Sequence, residues 1–218
     1  MIMKKFFFIL ISSLIIIYSA QAQYDAQFSQ NMNCLSMYNP AMISIDGYAN
    51  VVGINRQQWV GLENAPTTTV FNVSFPFQLE NSRSVAGILF LNDKFGLFAN
   101  QSVYLQYAHQ RNFLKGIFSV GGNLGFLSNS FDGTQVFIPE SDYHRTNDDA
   151  LVPTTKENGM ALDLALGLSY YDEKKYAGIS LFHLTKPTID IGDKSSVSIK
   201  PMLNMTAGYN FILSNPLY

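Results

Sequence analysis

The sequence has little cysteine, little charge and few long apolar runs, and each shortage excludes a class of protein. One cysteine among 218 residues excludes an internal disulfide framework and a multi-cysteine zinc site. Only 14% of the residues are charged, against roughly 25% in soluble globular chains, and the net charge of -2 offers no basic surface for nucleic acid. Because 14% of the residues are aromatic, the composition is not that of a disordered chain. The length predicts one domain or at most two small ones.

The N-terminus has the three parts of a secretory signal peptide. Lys4 and Lys5 precede an apolar run over residues 6–18, and the sequence Ala-Gln-Ala follows at 20–22. This order is typical of a cleaved signal, and the run is shorter than the roughly 20 residues that a spanning helix needs. We therefore expect residues 1–22 to be removed, with an uncleaved membrane anchor as the less favoured alternative.

From residue 47 onward, apolar and small polar residues alternate with the period of a β-strand. In 160–171, leucine, methionine and tyrosine occupy one face, and alanine, aspartate, glycine and serine occupy the other. The same pattern recurs in 69–77, 117–127 and 203–211. In a soluble sandwich the polar face would be rich in lysine, glutamate and arginine. An apolar face toward lipid and a small, neutral face toward the interior are instead typical of a transmembrane β-barrel.

The alternation predicts an all-β fold, an antiparallel transmembrane β-barrel of the outer-membrane type, with eight strands in this chain. We place the strands at residues 47–60, 66–77, 83–92, 101–113, 116–128, 160–171, 174–184 and 199–213. If the first strand starts in the periplasm, the periplasmic connections are the short ones, at 78–82, 114–115 and 172–173. The outer connections 93–100, 129–159 and 185–198 are longer, and only 61–65 departs from this asymmetry, which is typical of the barrel class.

The sequence predicts no catalytic, metal or cofactor site. The loop 129–159 is rich in acidic residues but lacks the spacing of a calcium loop. His109, His144 and His183 are far apart in the chain, and none belongs to a nucleophile motif. The glycines in 121–125 lie inside an alternating strand, where they allow bending or leave interior space, and no helix follows to complete a phosphate site. We expect a protein that is not an enzyme and uses no cofactor.

Residues 23–46 have no clear period. They contain Gln-Phe-Ser-Gln at 27–30 and Tyr-Asn-Pro-Ala at 38–41, which combine aromatic rings, amides and a turn-forming Asn-Pro pair. One interpretation is an ordinary leader to the first strand. The other is a periplasmic extension or a plug, with residues 47–218 forming the barrel itself.

The sequence Arg-Gln-Gln-Trp-Val-Gly at 56–61, followed by Ala-Pro-Thr-Thr at 65–68, is a specific pair of motifs. Shorter pieces accompany it along most of the chain, at 27–32, 38–41, 92–96, 167–171, 176–180, 183–184 and 206–209. Together these motifs resemble the PorP/SprF outer-membrane proteins of the type IX secretion and gliding systems.

The resemblance implies an outer-membrane barrel that helps particular proteins, such as adhesins, to reach or stay on the cell surface. The implied partners are a C-terminal domain on the secreted cargo and periplasmic, peptidoglycan-linked secretion components. A passive channel for small solutes is the alternative function, and an outer-membrane lipid hydrolase is a more distant one. The motif positions expected to serve structure or partner contact are Gln27, Phe28, Asn39, Pro40, Arg56, Gln57, Gln58, Trp59, Asn92, Asp93 and Lys94.

Two further expectations concern the first strand and the end of the chain. On a continuous strand Arg56 and Trp59 face opposite sides, so we expect Trp59 at the lipid interface and Arg56 toward the interior.

The eighth strand is followed by Ser-Asn-Pro at 214–216, a turn signal, and the resemblance implies further strands. We expect this chain to be incomplete at its C-terminus and to contribute about eight strands to a barrel of about twelve to fourteen, with an open sheet edge or an incompletely closed barrel as the result.

Overall fold

The fold is almost entirely antiparallel β-structure. The computed structural model describes residues 25–136, 155–192 and 195–211. Three short 3-10 helices are present in these residues, at Asn31–Met37, Pro40–Met42 and Gly133–Gln135. The ten strands are β1 (Asn50–Gln57), β2 (Thr67–Leu79), β3 (Ser82–Phe95), β4 (Phe98–Phe113), β5 (Gly116–Asp132), β6 (Lys156–Tyr171), β7 (Lys175–Phe182), β8 (Thr188–Ile191), β9 (Ser195–Ser198) and β10 (Met202–Tyr209).

Eight of the strands form one sheet in chain order. The order is β1-β2-β3-β4-β5-β6-β7-β10, and β8 and β9 form a separate hairpin. Within the described part of the chain, β1 and β10 are the two edges of the sheet. The sheet curls into half of a barrel, which confirms the predicted barrel class and its open edge.

The two faces of the sheet carry the residues that the alternation predicts. In β6, Leu162 and Leu166 are exposed, whereas Asp163, Ala165 and Ser169 are buried. We call the face with the small and polar residues the inner face. Its side chains are buried because an earlier part of the same chain lies on them, as described below. Among residues 25–136, 155–192 and 195–211, no helix has the length and apolar character needed to cross a membrane.

The two ends of the sheet differ in their connections. Short turns at 80–81, 114–115 and 172–174 join strands at one end, which we call the tight-turn end. We call the opposite end the long-connection end. The outer loop predicted there at 93–100 is wrong, because β3 and β4 continue to a two-residue turn of Gly96 and Leu97. Gly96 has a φ of 56°, a conformation that glycine adopts without a steric cost.

Several predicted boundaries also need correction. The first strand ends at Gln57 rather than at residue 60, and the last one covers Met202–Tyr209 rather than 199–213. The connection predicted at 185–198 contains the β8–β9 hairpin, which alternation over so few residues did not reveal. Its Ile189 and Ile191 join a buried apolar cluster with Tyr104 and Leu127. The predicted signal peptide, most of the acidic loop, with His144, and the turn at 214–216 lie outside the described residues.

Candidate functional site

Residues 25–46, which we call the N-terminal segment, lie along the inner face of the sheet. At the long-connection end, the main-chain oxygen of Gln27 accepts a hydrogen bond from Arg56. At the tight-turn end, Gln110 donates to the main-chain oxygen of Ile43 at 3.2 Å. The chain then turns at Gly47, which has a φ of 82°, and returns as β1. The segment therefore runs the length of the interior before the first strand begins.

Asn39 fixes the middle of the N-terminal segment to two strands. Its side-chain oxygen accepts a hydrogen bond from the Ala41 amide at 2.9 Å, which caps the short 3-10 helix that starts at Pro40. Its side-chain nitrogen donates to the main-chain oxygen of Leu168 in β6 at 3.1 Å and to that of Ile179 in β7 at 3.3 Å. Only 1% of Asn39 is exposed. The side-chain amide of Asn39 thus stabilises its own turn and binds the two strands that lie beneath it.

Three inner-face glycines make room for Asn39 and Pro40. A β-carbon at Gly167 would lie 2.1 Å from the Asn39 side-chain oxygen, and one at Gly178 would lie 2.5 Å from its side-chain nitrogen. A β-carbon at Gly121 would lie 2.5 Å from the Pro40 main chain. Atoms cannot approach so closely, so any larger residue would displace the segment. Two of these glycines, Gly121 and Gly167, lie on the small face that the alternation identified, and all three are needed for the packing of the segment.

Polar side chains of the inner face bind the main chain of the N-terminal segment. Ser169 donates to the Ala41 oxygen at 3.0 Å, and Gln106 donates to the Ser36 oxygen at 3.2 Å. Ser180 donates to the Tyr38 oxygen at 2.6 Å. The two short 3-10 helices pair only some of the carbonyl groups of the segment, and burial requires partners for the others. The neutral polar face supplies these partners.

Arg56 holds the start of the N-terminal segment at the long-connection end. Besides Gln27, its guanidinium donates to the Thr68 hydroxyl at 2.9 Å, and it lies 5.1 Å from the centre of the Phe28 ring. The Thr68 hydroxyl in turn donates to the Asp93 carboxylate at 2.6 Å. The cation–π contact with Phe28 and the hydrogen bonds of Arg56 together hold the start of the segment. Arg56 and Asp93, from two separate motifs, therefore belong to one hydrogen-bonded network through Thr68.

A second charged cluster lies around His183, just beyond β7. Its Nδ1 is 2.9 Å from the Asp163 carboxylate, and its Nε2 is 3.2 Å from the carboxylate of Asp25. Tyr104 donates to Asp163 at 2.8 Å, and Asp163 is fully buried. A protonated imidazole donates from both nitrogens, which suits a position between two carboxylates. Since both ring nitrogens face carboxylates, the arrangement connects Asp25 of the segment to Asp163 of the sheet.

The structure brings together some of the predicted motif residues and leaves others apart. Gln27, Phe28, Asn39, Pro40, Arg56 and Asp93 meet through the N-terminal segment and its supports. Trp59 does not lie on the first strand as predicted, because β1 ends at Gln57; it is in the following connection, with a φ of 51° and 69% exposed. Gln57, Gln58 and Lys94 are exposed at the same end. Asn92 accepts a hydrogen bond from Gln101 at 3.1 Å.

The sequence alone did not identify the residues that receive the segment, above all Gly167, Gly178, Gln106 and Asp163. The alternation placed Gly167 and Asp163 on the small polar face but assigned no face to Gly178 or Gln106, and the partners of all four lie elsewhere in the chain.

The family model for the type IX secretion system membrane protein PorP/SprF matches residues 20–217. The chain belongs to the PorP/SprF family. No curated protein matches the chain, and no solved structure matches it.

Membership of PorP/SprF makes the protein a membrane component of the type IX secretion system. The family match extends over both the N-terminal segment and the strands that receive it, so the described contacts lie within the matched region. The motif residues Asn39 and Arg56 fix the segment to the sheet at two levels. In this PorP/SprF protein, the candidate site is the interface between the N-terminal segment and the inner face.

Proposed function

We propose that this PorP/SprF protein is a non-enzymatic outer-membrane component that helps specific cell-surface proteins, such as adhesins used in gliding, to be secreted or anchored. Its proposed partners are the C-terminal domain of the cargo and periplasmic, peptidoglycan-linked secretion components. Family membership supports the secretion role. The signal-like residues 1–22 and the apolar outer face support export to the outer membrane.

The observation that carries the proposal is the filling of the inner face by the N-terminal segment. A passive channel needs a water-lined interior, whereas here Ser169, Gln106 and Gln110 are engaged with the segment's main chain. We infer that residues 25–46 act as a plug, held in the interior by Asn39 at its middle and Arg56 at its start. A filled interior suits a protein that presents surfaces to partners better than one that conducts solutes.

Deletion of the gene tests the secretion role. We expect particular adhesins to disappear from the cell surface while uptake of small solutes stays unchanged, and the wild-type gene to restore the adhesins. A pull-down from membranes should recover a cargo C-terminal domain or a periplasmic lipoprotein. Unchanged surface proteins together with reduced solute entry would favour the channel and contradict the proposal.

Removal of the plug tests its position in the interior. A variant that keeps the signal peptide but lacks residues 25–46 should admit solutes into proteoliposomes, whereas the wild type should not. The matched control replaces Gln30 and Asn33 by alanine, because these two exposed residues bond only to each other in the described structure. Solute entry through the wild-type protein at the rate of the deletion variant would show that residues 25–46 do not block the interior.

A further inference from the structure

A polar cavity of about 570 Å³ opens at the tight-turn end of the sheet. It lies where β2 ends, β3 begins and β4 ends, and two of its lining residues are Arg83 and Arg111. The side-chain amides that line it belong to Gln78, Asn81, Gln110 and Asn112. The cavity is thus walled by two guanidinium groups and several amides at the rim of the sheet, where Arg83 and Gln110 belong to the inner face and Arg111, the next residue on β4, belongs to the outer face.

Neutral groups hold both arginines in place. The Arg83 Nε donates to Gln110 at 2.5 Å, and its Nη2 donates to the Tyr171 hydroxyl at 2.7 Å, across the interior on β6. The Arg111 Nε donates to the Ser82 hydroxyl at 3.0 Å. In the described part of the chain neither arginine forms an ion pair. Two oriented positive charges therefore line one cavity without a negative partner.

The neighbouring carboxylates do not neutralise this pair. Asp46 lies next to Ile45, whose oxygen is 3.5 Å from Arg83, but its carboxylate accepts hydrogen bonds from Tyr48 and Asn50. Glu80, in the turn between β2 and β3, is exposed. Neither acid is within ion-pair distance of Arg83 or Arg111. Arg83 is half-buried and Arg111 is exposed at the rim. A half-buried guanidinium without a counter-charge, such as that of Arg83, is a strong site for an added anion.

We propose that this cavity binds a carboxylate side chain of an acidic peptide segment. Guanidinium groups bind carboxylates through paired hydrogen bonds, and side-chain amides can bind the main chain that carries such a carboxylate. A lipid phosphate fits less well at Arg83, because this side chain reaches Tyr171 across the interior, away from the apolar outer face. Since tight turns of outer-membrane barrels face the periplasm, the acidic segment belongs to a periplasmic protein; only this assignment rests on the proposed function.

The test is binding of a fluorescent hexaglutamate peptide to the purified full chain in a nonionic detergent, with hexaglutamine and inorganic phosphate as competitors. We expect the Arg111→Gln and Arg83→Gln variants to bind at least about tenfold more weakly, which corresponds to about 1.4 kcal/mol. The control Lys115→Gln, which changes a cation at the same end outside the cavity, should bind within about twofold of the wild type. Each variant is first checked for folding by its migration on a gel before and after heating.

Three results would overturn the proposal. One is the absence of hexaglutamate binding to the wild-type chain. Another is an equal loss of binding in Lys115→Gln, which would indicate a diffuse charge effect. The third is displacement of the peptide by phosphate but not by excess unlabelled hexaglutamate. Because binding is measured on the purified chain, failure of the secretion role in cells would leave this result unaffected.

Discussion

The side-chain oxygen of Asn39 occupies the space directly over Gly167, 2.1 Å from the position that a β-carbon would take. A motif residue of the N-terminal segment is therefore matched to a missing side chain more than a hundred residues later. Gly167 contributes the space that the Asn39 side chain needs. Asn39 contributes hydrogen bonds, because the same amide also bonds to β6 and β7. Each partner can be changed independently of the other.

Asn39→Ala should destabilise the protein by about 1–3 kcal/mol. The substitution removes the cap on Ala41 and the two donors to Leu168 and Ile179 in a buried place. The measurement is the free energy of unfolding in urea. The control is Asn55→Ala, which removes an exposed hydrogen bond to Thr69 and should change stability by less than about 0.5 kcal/mol. Equal effects of the two substitutions would contradict the assigned position of Asn39.

Gly121→Ala should expose the N-terminal segment, whereas Gly122→Ala should not. A β-carbon at Gly121 meets the Pro40 main chain at 2.5 Å, but one at Gly122 first meets a flexible Leu166 methyl group at 3.3 Å. The expected cost at Gly121 is about 1–3 kcal/mol. The readout is the reaction of Cys34, the only cysteine, with a water-soluble maleimide, since Cys34 is 5% exposed in the folded protein. Equal labelling of both variants would contradict the prediction.

The strands could be predicted from the sequence because each alternating stretch carries its own evidence of a strand. Their inner and outer faces followed from the small neutral residues opposite leucine and phenylalanine. A plug was one of two interpretations of the N-terminal segment, but the contacts that fix its position could not be predicted, because it has no period and its partners, such as Ser169 and Asn204, lie far along the chain. Trp59 was misplaced because the predicted first strand extended to residue 60, whereas the hydrogen-bonded strand ends at Gln57.

Asp163→Asn should destabilise the protein by about 3–5 kcal/mol, the usual effect of removing one member of a buried charged pair. It leaves His183 and Tyr104 without the carboxylate that both contact. The control is Asp190→Asn, at an exposed position in β8, with an expected change below about 0.5 kcal/mol. A double-mutant cycle with His183→Gln should show a coupling of about 0.5–3 kcal/mol. Simple additivity would show that the two side chains do not act together.

Arg56→Met should release the first residues of the N-terminal segment without unfolding the sheet. The variant loses the hydrogen bonds to Gln27 and Thr68 and the charge over the Phe28 ring. Limited proteolysis followed by mass spectrometry should find new cleavage near residues 25–30. The matched control is Lys94→Met, an exposed cation at the same end of the sheet. Protection of residues 25–30 in the Arg56 variant would show that other contacts suffice.

Asp172, in the turn before β7, should titrate below the ordinary range of an aspartate. Hydrogen bonds from the main-chain amides of Lys174 and Lys175 to its carboxylate lower the pKa. A carboxylate with a lowered pKa stabilises the fold above its unfolded pKa, and this contribution is lost as the pH falls through the folded value. A carboxyl-carbon NMR titration measures the folded pKa. A value equal to that of aspartate in the unfolded chain would contradict the prediction.

The contacts of the N-terminal segment imply opposite orders of synthesis and assembly. Residues 25–46 leave the ribosome before any strand, yet Ala41 and Tyr38 find their partners Ser169 and Asn204 across 128 and 166 residues of sequence. Contacts between residues so distant in the chain form late, because the intervening chain must first be arranged. We therefore expect the segment to remain without these contacts until the strands that receive it have paired. The part of the protein that is made early would then be among the last to reach its final place.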